Sequence, residues 1–317
     1  PGPATHLAFA VQPGTAVAGT TVTPAIQVVV LDGYGNIVTT SNANVSVAIT
    51  AGTGATGATL GGSISQVASS GIATFNTLSI DKVAGNYTLT ASAAGLSGAV
   101  SGAFAVSPGV ATKLAFGAHP STTSAGAMIA PAVQVLVQDA LGNTVTTATP
   151  SVTLAIISGT GAAGAALAGT ATQQAVSGVA TFGNLSVAKS GTGYGLSATA
   201  GGLAGVSSNP FNINVGPAAR LVFAAQPSDV VAGAAIVPAV QVVVQDAQSN
   251  TVTSATTSIA LAITSGTGTT GATLGGTLTQ AAVNGLATFA NLTIDKAGSG
   301  YTLAATATSL TSGTSST

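Results

Sequence analysis

The sequence has no cysteine, no tryptophan and no glutamate. The absence of cysteine excludes disulfide staples, a thiol nucleophile and thiolate metal sites, and leaves the compartment open. Charge is almost absent as well. Asp, Lys and Arg make up 3% of the 317 residues, against about 25% in an ordinary soluble domain, and the formal net charge is −1. Such a chain has no basic surface for nucleic acid or an anionic membrane. Its apolar residues are scattered Ala and Val, and no run approaches the ~18 residues of a membrane-spanning helix. The opening Pro1-Gly2-Pro3 carries no secretory leader and reads as the start of a processed or excised piece.

What is present is a repeat. Gly71-Ile72-Ala73-Thr74-Phe75 returns as Gly178-Val179-Ala180-Thr181-Phe182 and as Gly285-Leu286-Ala287-Thr288-Phe289, at a constant spacing of 107 residues. Leu7 and Phe9 return as Leu114 and Phe116, then as Leu221 and Phe223. Pro13 returns as Pro120 and Pro227. A period this strict makes each repeat one folding module, of the size of an all-β sandwich. The expected domains are 1–107, 108–214 and 215–317. They are joined by the short stretches Ser107–Val110 and Gly216–Ala218, where Pro and Gly make a compact joint rather than a tether. The composition, rich in Gly, Ala, Ser and Thr, is compatible with disorder. The alternating, periodic β-branched residues exclude it.

Within a repeat the apolar period is two, never 3.6. The first strand is expected over His6–Val11. A second follows Pro24, with Ile26, Val28 and Val30 on one face and Gln27 among the residues on the other. Asp32-Gly33-Tyr34-Gly35-Asn36 ends it as a tight turn, repeated at Asp139–Asn143 and Asp246–Asn250. Val45, Val47 and Ile49 form the next strand, and a loop containing Gly52-Thr53-Gly54 follows it. Leu60-Gly61-Gly62 then leads through a weak strand to the Gly-x-Ala-Thr-Phe strand. The penultimate strand is expected over Tyr87–Ala93 and the last begins at Phe104. About seven short strands with turns between them predict an immunoglobulin-like β-sandwich, three in tandem forming a rod.

The series Gln12-Pro13, Ala18-Gly19, Pro24, Ile26, Val28, Val30, Asp32, Gly35-Asn36, Gly71, Ala73-Thr74-Phe75, Gly85, Tyr87, Leu89 and Ala91 resembles the bacterial immunoglobulin-like repeats of surface proteins, in the broad invasin and intimin class. The likeness spans essentially the whole chain. It implies a stalk that holds something else away from a cell; a membrane anchor and a receptor-binding domain are the parts of that plan not present here.

The chemistry-bearing residues resolve mostly into scaffold. All of the 8 Phe and 4 Tyr except Tyr34 occupy four recurring strand positions and are expected in the core. Tyr87, Tyr194 and Tyr301 are expected to bond backbone through their hydroxyls, as a tyrosine corner does. Asp229 alone among the charged residues lacks a counterpart. One carboxylate per turn makes Asp32 with Asn36 a structural turn before a Ca²⁺ site. Lys82 beside Asp81 is read as solvated rather than as half of an isopeptide cross-link. His6 and His119 are inequivalent rim residues. The Gly-Thr-Gly loops match no phosphate-binding spacing. No catalytic, cofactor-binding or metal-ligating residue is assigned, no cofactor is expected, and the chain is read as a non-enzyme. Asn86-Tyr87-Thr88 is a formal glycosylation sequon.

Phe104 and Phe211 open the final strands of the first two repeats, and their counterpart position, 318, lies past Thr317. The third repeat is therefore expected to lack its final strand. That forfeits roughly 2–3 kcal/mol for each large apolar side chain and leaves an open edge. Completion by continuing chain or by a strand from a neighbouring molecule both fit. The functional expectation is an extracellular or cell-surface structural protein, a stalk, fibre or filament. Its partners are neighbouring repeats or further copies of itself, with neither nucleic acid nor membrane insertion. The second reading is an adhesive or glycan-binding module, with a glycan or host-surface partner met around Tyr34.

Overall fold

A computed structural model describes residues 1–317, and it contains strands and no helix. The first repeat runs β1 (Ala4–Val11), β2 (Ala16–Val17), β3 (Ile26–Asp32), β4 (Asn44–Ile49), β5 (Leu60–Gly61) and β6 (Ser65–Val67). It continues with β7 (Ile72–Phe75), β8 (Ser79–Ile80), β9 (Ala84–Tyr87), β10 (Leu89–Ser92), β11 (Ala99–Val100) and β12 (Phe104–Ser107). One layer has the order β1-β3-β7. The other is built from β11-β10-β4-β6 and β2-β12-β9, with β5-β8 as a small separate pair. β9 and β10 are two halves of one bent run, so β12 flanks its first half and β4 its second. The opening strand divides between layers: β1 pairs antiparallel with β3, and β2 runs parallel to β12. That strand order is immunoglobulin-like.

Alternation decides which side chains meet. Ile26, Val28 and Val30 are fully buried, and β3 sets them opposite Phe75 and Ala73 of β7 and Leu7 of β1. The small Ala73 beside Val28 keeps the layer filled without overpacking. Thr74, of opposite parity, faces solvent. Gly71 turns the chain into β7 at φ 78°, and a β-carbon there would lie 2.6 Å from the Val38 carbonyl oxygen. Each repeat has its own buried apolar cluster, centred on Phe75, Phe182 and Phe289.

Several expectations need correction. The first strand begins at Ala4. The penultimate strand is not one element over Tyr87–Ala93. It starts at Ala84 and breaks at Thr88, whose N–H turns away to donate to Thr53 Oγ1 at 3.2 Å. Five short strands, β2, β5, β8, β9 and β11, raise the number above seven. Phe9, Phe116 and Tyr301 are half-buried rather than fully in the core.

The tyrosine corners form as expected. Tyr87, Tyr194 and Tyr301 donate through their hydroxyls to the carbonyls of Lys82, Lys189 and Lys296 at 2.8, 2.7 and 2.9 Å. The second glycine of each Gly-Thr-Gly loop lies against the tyrosine ring. A β-carbon on Gly161 would lie 2.2 Å from Tyr194 Cδ1, whereas one on Gly159 would meet nothing within 4 Å. Both glycines have positive φ, so the two positions separate backbone strain from ring contact. Gly159→Ala is expected to cost about 1 kcal/mol and Gly161→Ala roughly 2–4 kcal/mol in denaturant melts, because only the second displaces the ring.

Candidate functional site

The densest polar constellation forms where one repeat meets the next. Strand Val133–Gln138 of the second repeat ends at Asp139, which is 2% exposed. A buried carboxylate needs donors, and the turn supplies them. Asp139 Oδ1 accepts the N–H groups of Leu141 and Asn143 at 3.0 and 2.9 Å, and Asn143 Nδ2 donates to both carboxylate oxygens. The linker adds another donor: Gly109 N–H reaches Asp139 Oδ2 at 3.0 Å. The turn thus fixes Asn143, whose side chain also reaches the preceding repeat. Asn143 Nδ2 donates to the Asp81 carbonyl at 2.9 Å, and its Oδ1 accepts the Val83 N–H at 3.2 Å.

The second joint repeats the first. Asp246 accepts from Gly216, Gln248 and Asn250. Asn250 donates to the Ala188 carbonyl at 2.8 Å and accepts the Ser190 N–H at 3.0 Å. In the first repeat Gly2, Tyr34 and Asn36 serve Asp32 in the same way, and the Asn36 amide bonds within its own turn.

A close side-chain contact accompanies each amide bridge. A β-carbon on Gly19 would lie 2.8 Å from Leu141 Cδ1, and one on Gly126 would lie 2.6 Å from Gln248 Nε2. The third residue of the turn therefore seats on a glycine of the preceding repeat. Tyr34 is the counterpart of Leu141 and Gln248, and it is 92% exposed.

The joint carboxylates are held in their charged form. Burial pushes Asp139 and Asp246 up, but the N–H and amide donors around them outweigh it, and both lie below the ordinary carboxyl range. Asp32 is lowered furthest, first by the Asn36 backbone N–H and then by Gly2. All oxygens of Asp139 already accept N–H donors, an arrangement that serves a turn rather than a cation shell.

The other singled-out residues do not converge. Lys82, Lys189 and Lys296 are exposed and donate to the loop carbonyls of Thr56, Ala163 and Thr270. His6 Nδ1 meets only the neighbouring Thr5 hydroxyl. His119 has a structural role that sequence reading missed. Its Nδ1 accepts the Asn209 N–H at 3.0 Å, as Gln12 Oε1 accepts Gly102 and Gln226 Oε1 accepts Ser316, and its ring stacks on Phe116 at 5.1 Å. The shared alignment position of His119 with Gln12 and Gln226 was the signal available. Asn86 is exposed.

The third repeat differs at its far end. In the first two, Tyr87 packs on Phe104 and Tyr194 on Phe211, with ring centroids 5.9 and 5.8 Å apart. No residue of the 317 corresponds to Phe104–Ser107 there. A cavity of about 670 Å³ lies between Pro227, Val230, Ile236, Ile294, Tyr301 and Leu303. The neighbouring segments change with it. The counterparts of β2 and β9, at 230–231 and 298–301, are not paired as strands, and Tyr301 is half-exposed where Tyr87 and Tyr194 are fully buried.

No protein-family model matches the chain, and no curated protein matches it. Solved structures align with it at low similarity. InvD of Yersinia pseudotuberculosis aligns at 16% identity over 98% of this chain and 96% of its own, with a TM-score of 0.31. Invasin, a bacterial integrin-binding protein, aligns at 15% over 95% of this chain and 56% of its own, with a TM-score of 0.30. A β-glycosidase from Bacteroides vulgatus aligns at 13% over 65% of this chain, TM-score 0.28, and the chain spans 24% of that enzyme's length. The immunoglobulin-like character is carried by the strand order above.

Because the joint carboxyls are lowered in the folded state, their contribution is fully present above the unfolded value of 3.8 and is lost as pH falls toward their folded values. Thermal midpoints are expected to be flat from neutral pH to about 5 and to drop below about 4. Asp139→Asn is expected to lower the midpoint at neutral pH and to blunt the acid drop, as followed by circular dichroism.

Proposed function

We propose that the chain is a non-enzymatic spacer: three immunoglobulin-like domains, 1–107, 108–214 and 215–317, forming a stalk or fibre at an extracellular, bacterial surface. The observation that carries this reading is the pair of matching joints. Each ties the linker glycine, the turn and the preceding repeat through one Asp–Asn pair, which limits bending where a bare short linker would allow it. Near-neutral, Ala- and Thr-rich surfaces suit association with further repeats or copies, since low net charge permits close approach. In this reading the third repeat is completed by a strand from continuing chain or from a neighbouring molecule.

The adhesive reading rests on Tyr34. Its position is that of Leu141 and Gln248, both joint residues, which supports the spacer. Length and stiffness are what such a part transmits, so shape is the test. X-ray scattering of the chain is expected to give an elongated, narrow distance distribution. Asn143→Ala combined with Asn250→Ala removes both amide bridges, at a cost of roughly 1–3 kcal/mol per joint, and is expected to broaden that distribution while each repeat stays folded. A compact wild-type particle, or a double variant as stiff as wild type, sinks the reading.

A further inference from the structure

The three repeats close the same backbone contact, two with an amide and one with an imidazole. Gln12 Oε1 accepts the Gly102 N–H and Gln226 Oε1 accepts the Ser316 N–H, each at 2.9 Å. In the second repeat His119 Nδ1 accepts the Asn209 N–H at 3.0 Å. Each acceptor bonds a residue 90 positions downstream. In the second repeat the contact ties the end of the first strand, Lys113–Ala118, to the segment that enters the last strand, Phe211–Asn214. A bond beside it, from the Asn212 N–H to Thr122 Oγ1 at 3.2 Å, joins the same two segments. Past Asn214 the chain runs to Gly216, the linker glycine that donates to Asp246.

The acceptor's chemistry sets the second repeat apart. A backbone N–H only donates, so His119 Nδ1 offers its lone pair and the ring proton sits on Nε2. A glutamine carbonyl takes no proton near neutral pH, whereas an imidazole takes its second one between about pH 8 and 5. That proton goes to Nδ1, the accepting atom, and two donors then face each other. The ring is held from turning away, because it stacks on Phe116 with centroids 5.1 Å and planes 21° apart, a contact that an imidazolium keeps. The segments that meet here, 116–122 and 207–212, carry no other titratable residue. The charged residues of the second repeat are Lys113, Asp139 and Lys189. The two lysines donate to the carbonyls of Ala140 and Ala163, and Asp139 serves its own turn.

We infer that His119 is a proton-operated latch on the last strand of the second repeat, closed while the imidazole is neutral and released once it is protonated. The equivalent contacts of Gln12 and Gln226 do not respond. His6, the other histidine, is no such latch, because its Nδ1 meets the Thr5 hydroxyl, which turns to accept where it had donated. Asn209 is exposed, so water takes the place of the ring on release. The response is therefore local, and the melting midpoint stays where the joint carboxylates set it. Both partners lie in one repeat, so the latch is independent of how stiffly the repeats are joined.

The test is amide exchange with solvent in the full, isotope-labelled chain, followed by nuclear magnetic resonance and corrected for the intrinsic pH dependence of exchange. Titration of the His119 ring is read in the same samples. Protection of the Asn209 N–H is expected to fall roughly 2- to 10-fold from about pH 8 to about pH 5, the worth of one hydrogen bond, in step with the ring. Gly102 and Ser316 are expected to stay level. His119→Gln puts the amide of the other repeats in place of the ring, and is expected to keep Asn209 equally protected across that range. Gln12→His follows Phe9 as His119 follows Phe116, and is expected to transfer the response to Gly102. Asn209 protection that does not change as the ring titrates, an equal fall in His119→Gln, or no response at Gly102 in Gln12→His each overturns the proposal.

Discussion

A carboxylate removed from water must be surrounded by donors, and that constraint organises the chain. Asp32, Asp139 and Asp246 are each 1–2% exposed at the end of a central strand. The donors come from three different places: the turn that follows, the amide of the turn's last Asn, and the glycine of the linker 30 residues earlier. Satisfying one carboxylate therefore shapes the turn, anchors the incoming linker and aims an Asn side chain outward. In the second and third repeats that Asn caps a turn of the preceding unit. The joint is thus a by-product of burying one charge.

The tyrosine end of each repeat works by a related economy of parts. Tyr87 and Tyr194 close a corner through their hydroxyls, rest on a glycine loop with one ring face, and pack against the final strand. The third repeat shows what each of these contributes. Its corner and glycine loop are intact with Tyr301, so they do not require the final strand. The pairing of residues 230–231 and 298–301 does require it, because a short edge strand has little to hold it without a partner on both sides.

Much of this was legible in the residues. The 107-residue period assigned the aromatics and charges to a repeated scaffold. The alternation of Ile26, Val28 and Val30 set the buried face, and the tyrosine hydroxyls found the expected backbone partners. The break at Thr88 was not legible, because nothing in Tyr87–Ala93 marks where its hydrogen bonding passes to Thr53, 35 residues away. The role of His119 was hidden by its chemistry: an imidazole does the work of a glutamine carbonyl, and residue type alone points elsewhere. Asn143 and Asn250 read as turn formers, and they are, but their second role depends on carbonyl and N–H groups about 60 residues upstream.

The sequence alone determined the parts that depend on local period and near-neighbour chemistry: strand faces, turns and the number of repeats. Tertiary structure alone decided how repeats meet and which residues frame the tyrosine end of each. Both depend on groups far apart in the chain coming within bonding distance. A Gly19 opposite Leu141, or a cavity framed by Val230 and Tyr301, exists only after the two layers have closed on each other. Side-chain identity states what a residue can bond. The packed register of the strands states which groups come near enough for it to do so.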